Sequence, residues 1–209
     1  MAVYYRADGN NVYFCNAAKT SDYTEWHAGD IVAQGKYVNF ERADPLAIYE
    51  KFVFPEDCSY MCFGALNDGF SIYKVDSSHI KNMTKMFYNC SNLIWNPISR
   101  WDLSQVTNFT ETFRNCISLV SPAFDTITLT GAAKNLNGMF YGCYSLKTFY
   151  AFNHTSDFKP VDLGCMFWDC AALESIAGNG IANWDMSEIS MLNSMFRNCQ
   201  SLTKLDISG

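Results

Sequence analysis

One arrangement of apolar and polar residues occurs five times between residue 80 and the end of the chain. The copies read Met86-Phe87-Tyr88-Asn89-Cys90-Ser91-Asn92-Leu93, then Thr112-Phe113-Arg114-Asn115-Cys116-Ile117-Ser118-Leu119, then Met139-Phe140-Tyr141-Gly142-Cys143-Tyr144-Ser145-Leu146. Met166-Phe167-Trp168-Asp169-Cys170-Ala171-Ala172-Leu173 and Met195-Phe196-Arg197-Asn198-Cys199-Gln200-Ser201-Leu202 complete the set. Four residues before each Phe stands another apolar residue: Met83, Phe109, Leu136, Leu163 or Leu192. Apolar positions at i, i+3, i+4 and i+7 lie on one face of a helix, so the spacing predicts one short helix per copy. Two residues after each Phe comes Asn89, Asn115, Gly142, Asp169 or Asn198, types that tolerate the left-handed conformation ending a helix.

Beyond the Leu, some copies carry a short apolar-polar alternation that predicts one brief strand per repeat: Trp101-Asp102-Leu103-Ser104, Trp184-Asp185-Met186-Ser187 and Leu205-Asp206-Ile207-Ser208. The middle segments, Val120 to Ala133 and Lys147 to Pro160, keep the length and lose the wording. A short helix plus a short strand cannot bury its own apolar face, whereas stacked copies can lay Phe on Phe and Cys on Cys. The pattern therefore predicts a solenoid. It also explains Cys90, Cys116, Cys143, Cys170 and Cys199, which are 26, 27, 27 and 29 residues apart. Nine cysteines cannot all pair within one chain. The long spacing is not that of a zinc site, and no histidine neighbours Cys58, Cys62, Cys165 or Cys170 in sequence. Stacked thiols point the same way and read as small buried hydrophobes, with a disulfide within the column as the alternative.

The wording N-M-x-x-M-F-x-x-C-x-S-L followed by x-W-D-x-S resembles the BspA-type leucine-rich repeat family. The resemblance covers Ile80 to Gly209 and is closest in Asn82-Met83-Thr84-Lys85-Met86-Phe87 and Leu192-Asn193-Ser194-Met195-Phe196. Thr112 in place of Met and the eroded middle strand segments depart from it. That family's repeats occur on bacterial and protist surface proteins and in phage-encoded proteins. The resemblance implies a non-enzymatic binding or adhesion module, often on an exterior surface.

Residues 1–57 show no repeat. Val3-Tyr4-Tyr5-Arg6-Ala7 and Val12-Tyr13-Phe14 flank Asp8-Gly9-Asn10-Asn11, a hairpin signal. Ile31-Val32-Ala33 and Lys36-Tyr37-Val38-Asn39-Phe40 predict a second strand pair around Gln34-Gly35, and Asp44-Pro45 breaks the chain before a helix or strand over Leu46 to Phe54. Between Cys58 and His79 a degenerate first repeat is expected, with Met61 and Phe63 in the helix role. The expected organisation is a β-rich N-terminal cap or anchor over 1–57 and the solenoid over 58–209. At the far end the chain stops at Leu205-Asp206-Ile207-Ser208-Gly209 with no polar capping repeat. Coverage by another chain is preferred over a tolerated short end or a fragment.

The 209 residues are 49% apolar, 16% aromatic and 17% charged, enough to bury a sizeable core and to exclude disorder. A net charge of −6 provides no basic footprint for nucleic acid. No run approaches the roughly 18 apolar residues of a membrane helix. Met1 to Asp8 lacks the basic and apolar regions of a secretory signal.

Little chemistry is marked. His27, His79 and His154 are scattered, and no HExxH, P-loop or G-x-S-x-G is present. Ser201-Leu202-Thr203-Lys204 fits S-x-x-K, but Ser201 is the counterpart of Ser118 and Ser145 in the repeat. Gly178-Asn179-Gly180 reads as a loop insertion, and Asp102, Asp185 and Asp206 recur in register as turn residues. Glycosylation sequons stand at Asn82, Asn89, Asn108 and Asn153. The candidate binding surface is the row that follows each core Phe: Tyr88, Arg114, Tyr141, Trp168 and Arg197. These residue types are enriched at binding hot spots. The alternative is that they cover the seam between helices. Trp101 and Trp184 form a second candidate pair with the same two readings.

The expectation is a leucine-rich-repeat-like α/β solenoid with a β-rich N-terminal cap or anchor, acting as a structural or binding protein without catalytic residues, metal or cofactor. An intact Met1 without an export signal favours a phage virion component over a cell-surface or extracellular adhesion module, and a hydrolase is a remote third reading. Expected partners are a protein or cell-surface glycan, other virion subunits, or a second copy meeting the uncapped C-terminal repeat. Nucleic acid and membrane insertion are not expected.

Overall fold

The computed structural model describes residues 4–8, 11–15, 24–25, 37–40, 52–53, 56–64, 75–120, 123–177 and 181–205. β1 (Tyr4–Asp8) and β2 (Asn11–Cys15) run antiparallel with Asp8 opposite Asn11. β3 (Thr24–Glu25) pairs with β1, and β4 (Tyr37–Phe40) lies parallel to β2, giving the order β3-β1-β2-β4. Of the second expected strand pair, only Tyr37–Phe40 is described; Ile31 to Ala33 lies outside the described residues, as does most of Leu46 to Phe54. Within that last stretch β5 (Phe52–Val53) pairs in parallel with β6 (Val75–Asp76).

From Glu56 onward the chain winds into stacked coils, joined by parallel bridges Asp57↔Asn82↔Asn108↔Asn135↔Asp162↔Met191. The residues that predicted a helix face are the core: Met83, Met86, Phe87 and Cys90 are fully buried, as are Leu136, Met139, Phe140 and Cys143. The helix itself does not form. Among the described residues there is no α-helix, and each segment is a chain of overlapping turns. In Met83–Cys90, the N–H groups of Met86, Tyr88 and Cys90 donate three residues back, at 3.1, 3.2 and 3.2 Å. Those of Met83, Lys85, Phe87 and Asn89 instead donate to Asn108, Thr110, Thr112 and Arg114 of the next coil, at 2.9, 2.9, 2.8 and 2.8 Å. Lys85 and Asn89 have φ of 55° and 60°, the left-handed third position of a type II turn. The same two positions are left-handed in Tyr60/Gly64, Glu111/Asn115, Gly138/Gly142, Cys165/Asp169 and Ser194/Asn198. An α-helix would spend its amides inside the segment. The turn chain leaves every second amide for its neighbour, so it wins when coils stack.

Three columns run through the stack. Phe87, Phe113, Phe140, Phe167 and Phe196 lie face to face, with centroids 5.3, 5.6, 5.6 and 5.5 Å apart. Cys90, Cys116, Cys143, Cys170 and Cys199 each point Sγ at a carbonyl of the preceding coil, at 3.0 to 3.1 Å. All five are free thiols, because neighbours point along the column instead of at one another. Asp57, Asn82, Asn108, Asn135 and Asp162 each accept from the backbone N–H two residues on, at 2.8 to 3.0 Å, closing an Asx turn at the start of each coil. The sequon residues Asn82 and Asn108 are thus committed to the ladder.

The strands fall elsewhere than expected. Trp101 to Ser104 and Trp184 to Ser187 are not strands, because Asp102 and Asp185 accept from the N–H of Ser104 and Ser187 at 3.0 and 2.9 Å and turn the backbone. The strands lie in the segments that lost the wording and in the one after Leu173. β7 (Thr128–Leu129) pairs with β9 (Asn153–His154), and β8 (Thr148–Tyr150) with β10 (Ser175–Ala177), all in parallel. There Phe124, Phe149 and Phe152 fill the core opposite the Phe column. The degenerate first coil is present with a shifted register. Cys58, Met61 and Cys62, fully buried, take the places of Met83, Met86 and Phe87, and Phe63 stands where Tyr88 does. Gly180 and its two predecessors, and Asp206 to Gly209, lie outside the described residues.

Candidate functional site

The residue after each core aromatic has its own N–H bonded three residues back, at 3.2, 3.1, 3.0, 3.1 and 3.1 Å for Tyr88, Arg114, Tyr141, Trp168 and Arg197. The turn so closed directs that side chain away from the core, and the bridge register places the five in one column. Phe63 heads it, stacked on Tyr88 with centroids 4.9 Å apart and rings 4° from parallel. The Arg114 guanidinium lies 5.6 Å from the Tyr88 centroid and 4.0 Å from that of Tyr141. Tyr141 packs on Trp168 at 5.2 Å, and the Arg197 guanidinium covers Trp168 at 4.5 Å. All five row residues are brought together, half-buried except for the exposed Arg197. The sequence pattern missed Phe63, because Cys62 replaces the core Phe; the signal was the Gly64 spacing, which matches Gly142.

A charged flank runs beside this column on the first left-handed position. Lys85 Nζ sits 5.5 and 5.6 Å from the Tyr60 and Tyr88 centroids and 3.6 Å from a Glu111 oxygen, and Glu111 also holds Arg114 at 3.0 Å. Burial alone would lower the Lys85 pKa, but Tyr60 and Glu111 together hold it above its ordinary value. Because neighbouring rows occupy the ring faces, the column offers a ligand ring edges and guanidinium N–H groups. Ring edges carry the positive end of the aromatic quadrupole.

The second candidate pair is internal. Trp101 and Trp184 are 8% and 4% exposed, Trp101 against Phe87 at 6.2 Å and Trp184 against Phe158 at 5.3 Å, so their rings are core. Their apolar partners, Phe87 and Phe158, drew them inward. Among the described residues no group of three or more His, Cys, Asp or Glu could hold a metal ion. The column thiols are poorly ionised: burial pushes Cys143 up to about 12 and Cys199 up to about 11. Among the described residues no helix is long and apolar enough to cross a membrane.

No curated protein and no solved structure matches the chain. The family described as "Mycoplasma protein of unknown function, DUF285" matches residues 56–174 and again 161–209. The first match begins at the coil that Asp57 opens, and the two together run through every coil of the stack. This supports the kinship with BspA-related repeats that the wording implied. With residues 56–209 matched, the chain belongs to the DUF285 family.

Proposed function

We propose that the protein is a non-enzymatic binding module of an exterior surface, built as a leucine-rich-repeat-like solenoid in which the N-terminal β-rich part serves as cap or anchor. The observation that carries this reading is the unbroken column Phe63-Tyr88-Arg114-Tyr141-Trp168-Arg197 along one edge of the stack. It concentrates hot-spot residue types in a rigid row on a chain whose other chemistry is sparse. Ring edges, two guanidinium groups and the Lys85 ammonium suit a partner rich in hydrogen-bond acceptors and negative groups, a protein face or an acidic glycan.

The test is retention of the intact chain on a sulfated glycan resin against a neutral dextran resin, with Arg197→Gln and Trp168→Ala alongside. Salt-sensitive retention on the sulfated resin, lost in both variants while their urea midpoints stay near wild type, supports the reading. Unchanged retention, or a stability loss on the scale of a core residue, would show the row to be packing. Mass spectrometry of purified virions and of surface-labelled cells locates the exterior.

A further inference from the structure

Three charges meet on the flank of the row. Glu111 Oε1 accepts from Arg114 Nη1 at 3.0 Å, while its Oε2 lies 3.6 Å from Lys85 Nζ, beyond hydrogen-bond reach. The carboxylate divides itself between two cations and closes a bidentate fork with neither. Arg114 is left short of acceptors. Of the five N–H groups of a guanidinium, one is bonded among the described residues, and the Nε–H is buried without a partner. Tyr88 and Tyr141 cover the guanidinium faces, so an anion meets it along the edge that Glu111 holds. That edge touches solvent, since the Lys85, Arg114 and Glu111 side chains are 30%, 29% and 18% exposed. Glu111 has room there because the next coil places no side chain against it: a Cβ on Gly138 would lie 3.1 Å from Glu111 Cγ. The arrangement is peculiar to this coil. Arg197 in the last coil, 181–202, has the neutral Ser194 at the place matching Glu111.

We infer that Lys85 and Arg114 form an anion subsite, that Glu111 fills it in the free protein, and that a uronic-acid glycan displaces Glu111 with its own carboxylate. This rests on the row being a binding surface, and names what its centre takes. A carboxylate already sits between the two cations, so the space admits one. A ligand carboxylate, free to turn, can present both oxygens to the guanidinium edge; Glu111, tethered three residues before Arg114, presents one. Displaced, Glu111 turns into the solvent it already touches, and the two ion pairs it gives up are of the weak, partly exposed kind. The neighbours favour a sugar over a peptide. Among the described residues the hydroxyls of Tyr88 and Tyr141, on either side of Arg114, have no hydrogen-bond partner, and each can donate and accept. A uronic acid carries ring hydroxyls beside its carboxylate and can serve the cations and the phenols together. A glutamate side chain brings methylenes to the same place.

The test is calorimetric titration of the full chain with an oligogalacturonate, beside Glu111→Gln and the double variant Glu111→Gln/Lys85→Gln. Glu174→Gln, at an exposed acid outside the row, removes the same charge as a control. The expected result is wild-type binding that Glu111→Gln tightens by about tenfold, or about 1.4 kcal/mol, because the ligand no longer evicts an anion. The double variant should lose that gain, Glu174→Gln should bind as wild type does, and urea midpoints near wild type show each variant folded. Weaker binding by Glu111→Gln overturns the inference, since Glu111 would then orient Arg114 for the ligand instead of standing in its place. An equal gain in Glu174→Gln overturns it as an effect of net charge. So does a glutamate-rich peptide that shows the gain where the oligogalacturonate does not, because the occupant would then be a protein. Failure of both probes, with retention on the sulfated resin intact, removes the subsite and leaves the row; failure there as well removes the row.

Discussion

Replacing Gly138 by alanine separates a helix from a chain of turns by the sign of its effect. In a helix over Leu136 to Cys143, Gly138 would be an interior residue, and alanine would stabilise it by about 0.8–1.0 kcal/mol. In the structure Gly138 has φ of 58°, where an L-residue costs about 1–2 kcal/mol. Reduced freedom of the unfolded chain returns about 0.4–1 kcal/mol. A Cβ at this site would lie 3.1 Å from Glu111 Cγ, and Glu111 is held by both Lys85 and Arg114, so the contact adds to the cost. The net expectation is a destabilisation of about 1 kcal/mol, a fall in Tm of about 2–4 °C for a chain of this size. Ser194→Gly is the reciprocal perturbation: at φ of 56° glycine relieves the strain, so the chain should gain up to about 1 kcal/mol where a helix would lose. Urea unfolding followed by circular dichroism and tryptophan fluorescence reads both midpoints. A stabilised Gly138→Ala together with a destabilised Ser194→Gly would refute the turn ladder.

Three further outcomes are expected. On the native, reduced chain, an alkylating reagent at pH 8 should label half-buried Cys165 before fully buried Cys143, whose thiol burial pushes up to about 12; peptide mapping by mass spectrometry checks the order, and early labelling of Cys143 contradicts it. Hydrogen bonds from Ser187, with Lys159 at 3.2 Å, hold the Asp185 carboxyl down at about 2, against about 4 in an unfolded chain. A folded value below the unfolded one stabilises above about pH 4 and is lost as pH falls toward 2, so Asp185→Asn should flatten Tm against pH across that window. Phe140→Ala, with a stacked neighbour on each side, should cost about 3–5 kcal/mol and Phe196→Ala distinctly less, because its lower face is uncovered; equal urea midpoints would show that the last coil is as well covered as the central ones.

The periodicity located the core correctly and misnamed the element. Met83, Met86, Phe87 and Cys90 point inward in either case, because overlapping turns bring the chain back to one side every three or four residues, much as a helix does. Asn89 and its counterparts were legible as left-handed sites since Asn, Asp and Gly are the residue types that tolerate the region. Lys85 and Glu111 were not, because nothing in those side chains marks a positive φ; the neighbouring coil imposes it through the bonds to Thr110 and Asn137. The strand positions were misread for a related reason. Trp101-Asp102-Leu103-Ser104 alternates like a strand, but an Asp two residues before an available N–H closes a turn first. The row was legible as a register, yet its stacking depends on the distance between coils, which no single copy contains.

That distance makes every coil depend on its neighbours. Of the twelve left-handed positions described, three are Gly, so every isolated coil except the one with Gly138 and Gly142 would carry strain at one or both sites, and each would make none of its inter-coil bonds. Stacking supplies at least four backbone bonds and a thiol-to-carbonyl bond per interface, and from Phe87 onward a Phe contact, so stability behaves as a sum over neighbours. A terminal coil has one neighbour fewer. Leu163 is fully buried while Met191 and Leu192, one coil on, are each 51% exposed. The surface column crosses the same interfaces, since Arg197 of the last coil covers Trp168 of the one before. A ligand that spans Trp168 and Arg197 would therefore fasten the least supported interface of the stack. Binding along the row should slow amide exchange in the last coil, at Arg197 and Cys199, more than at Tyr141 and Cys143 of the doubly supported coil. Equal protection along the row would mean that the ligand contacts the column without bridging its coils.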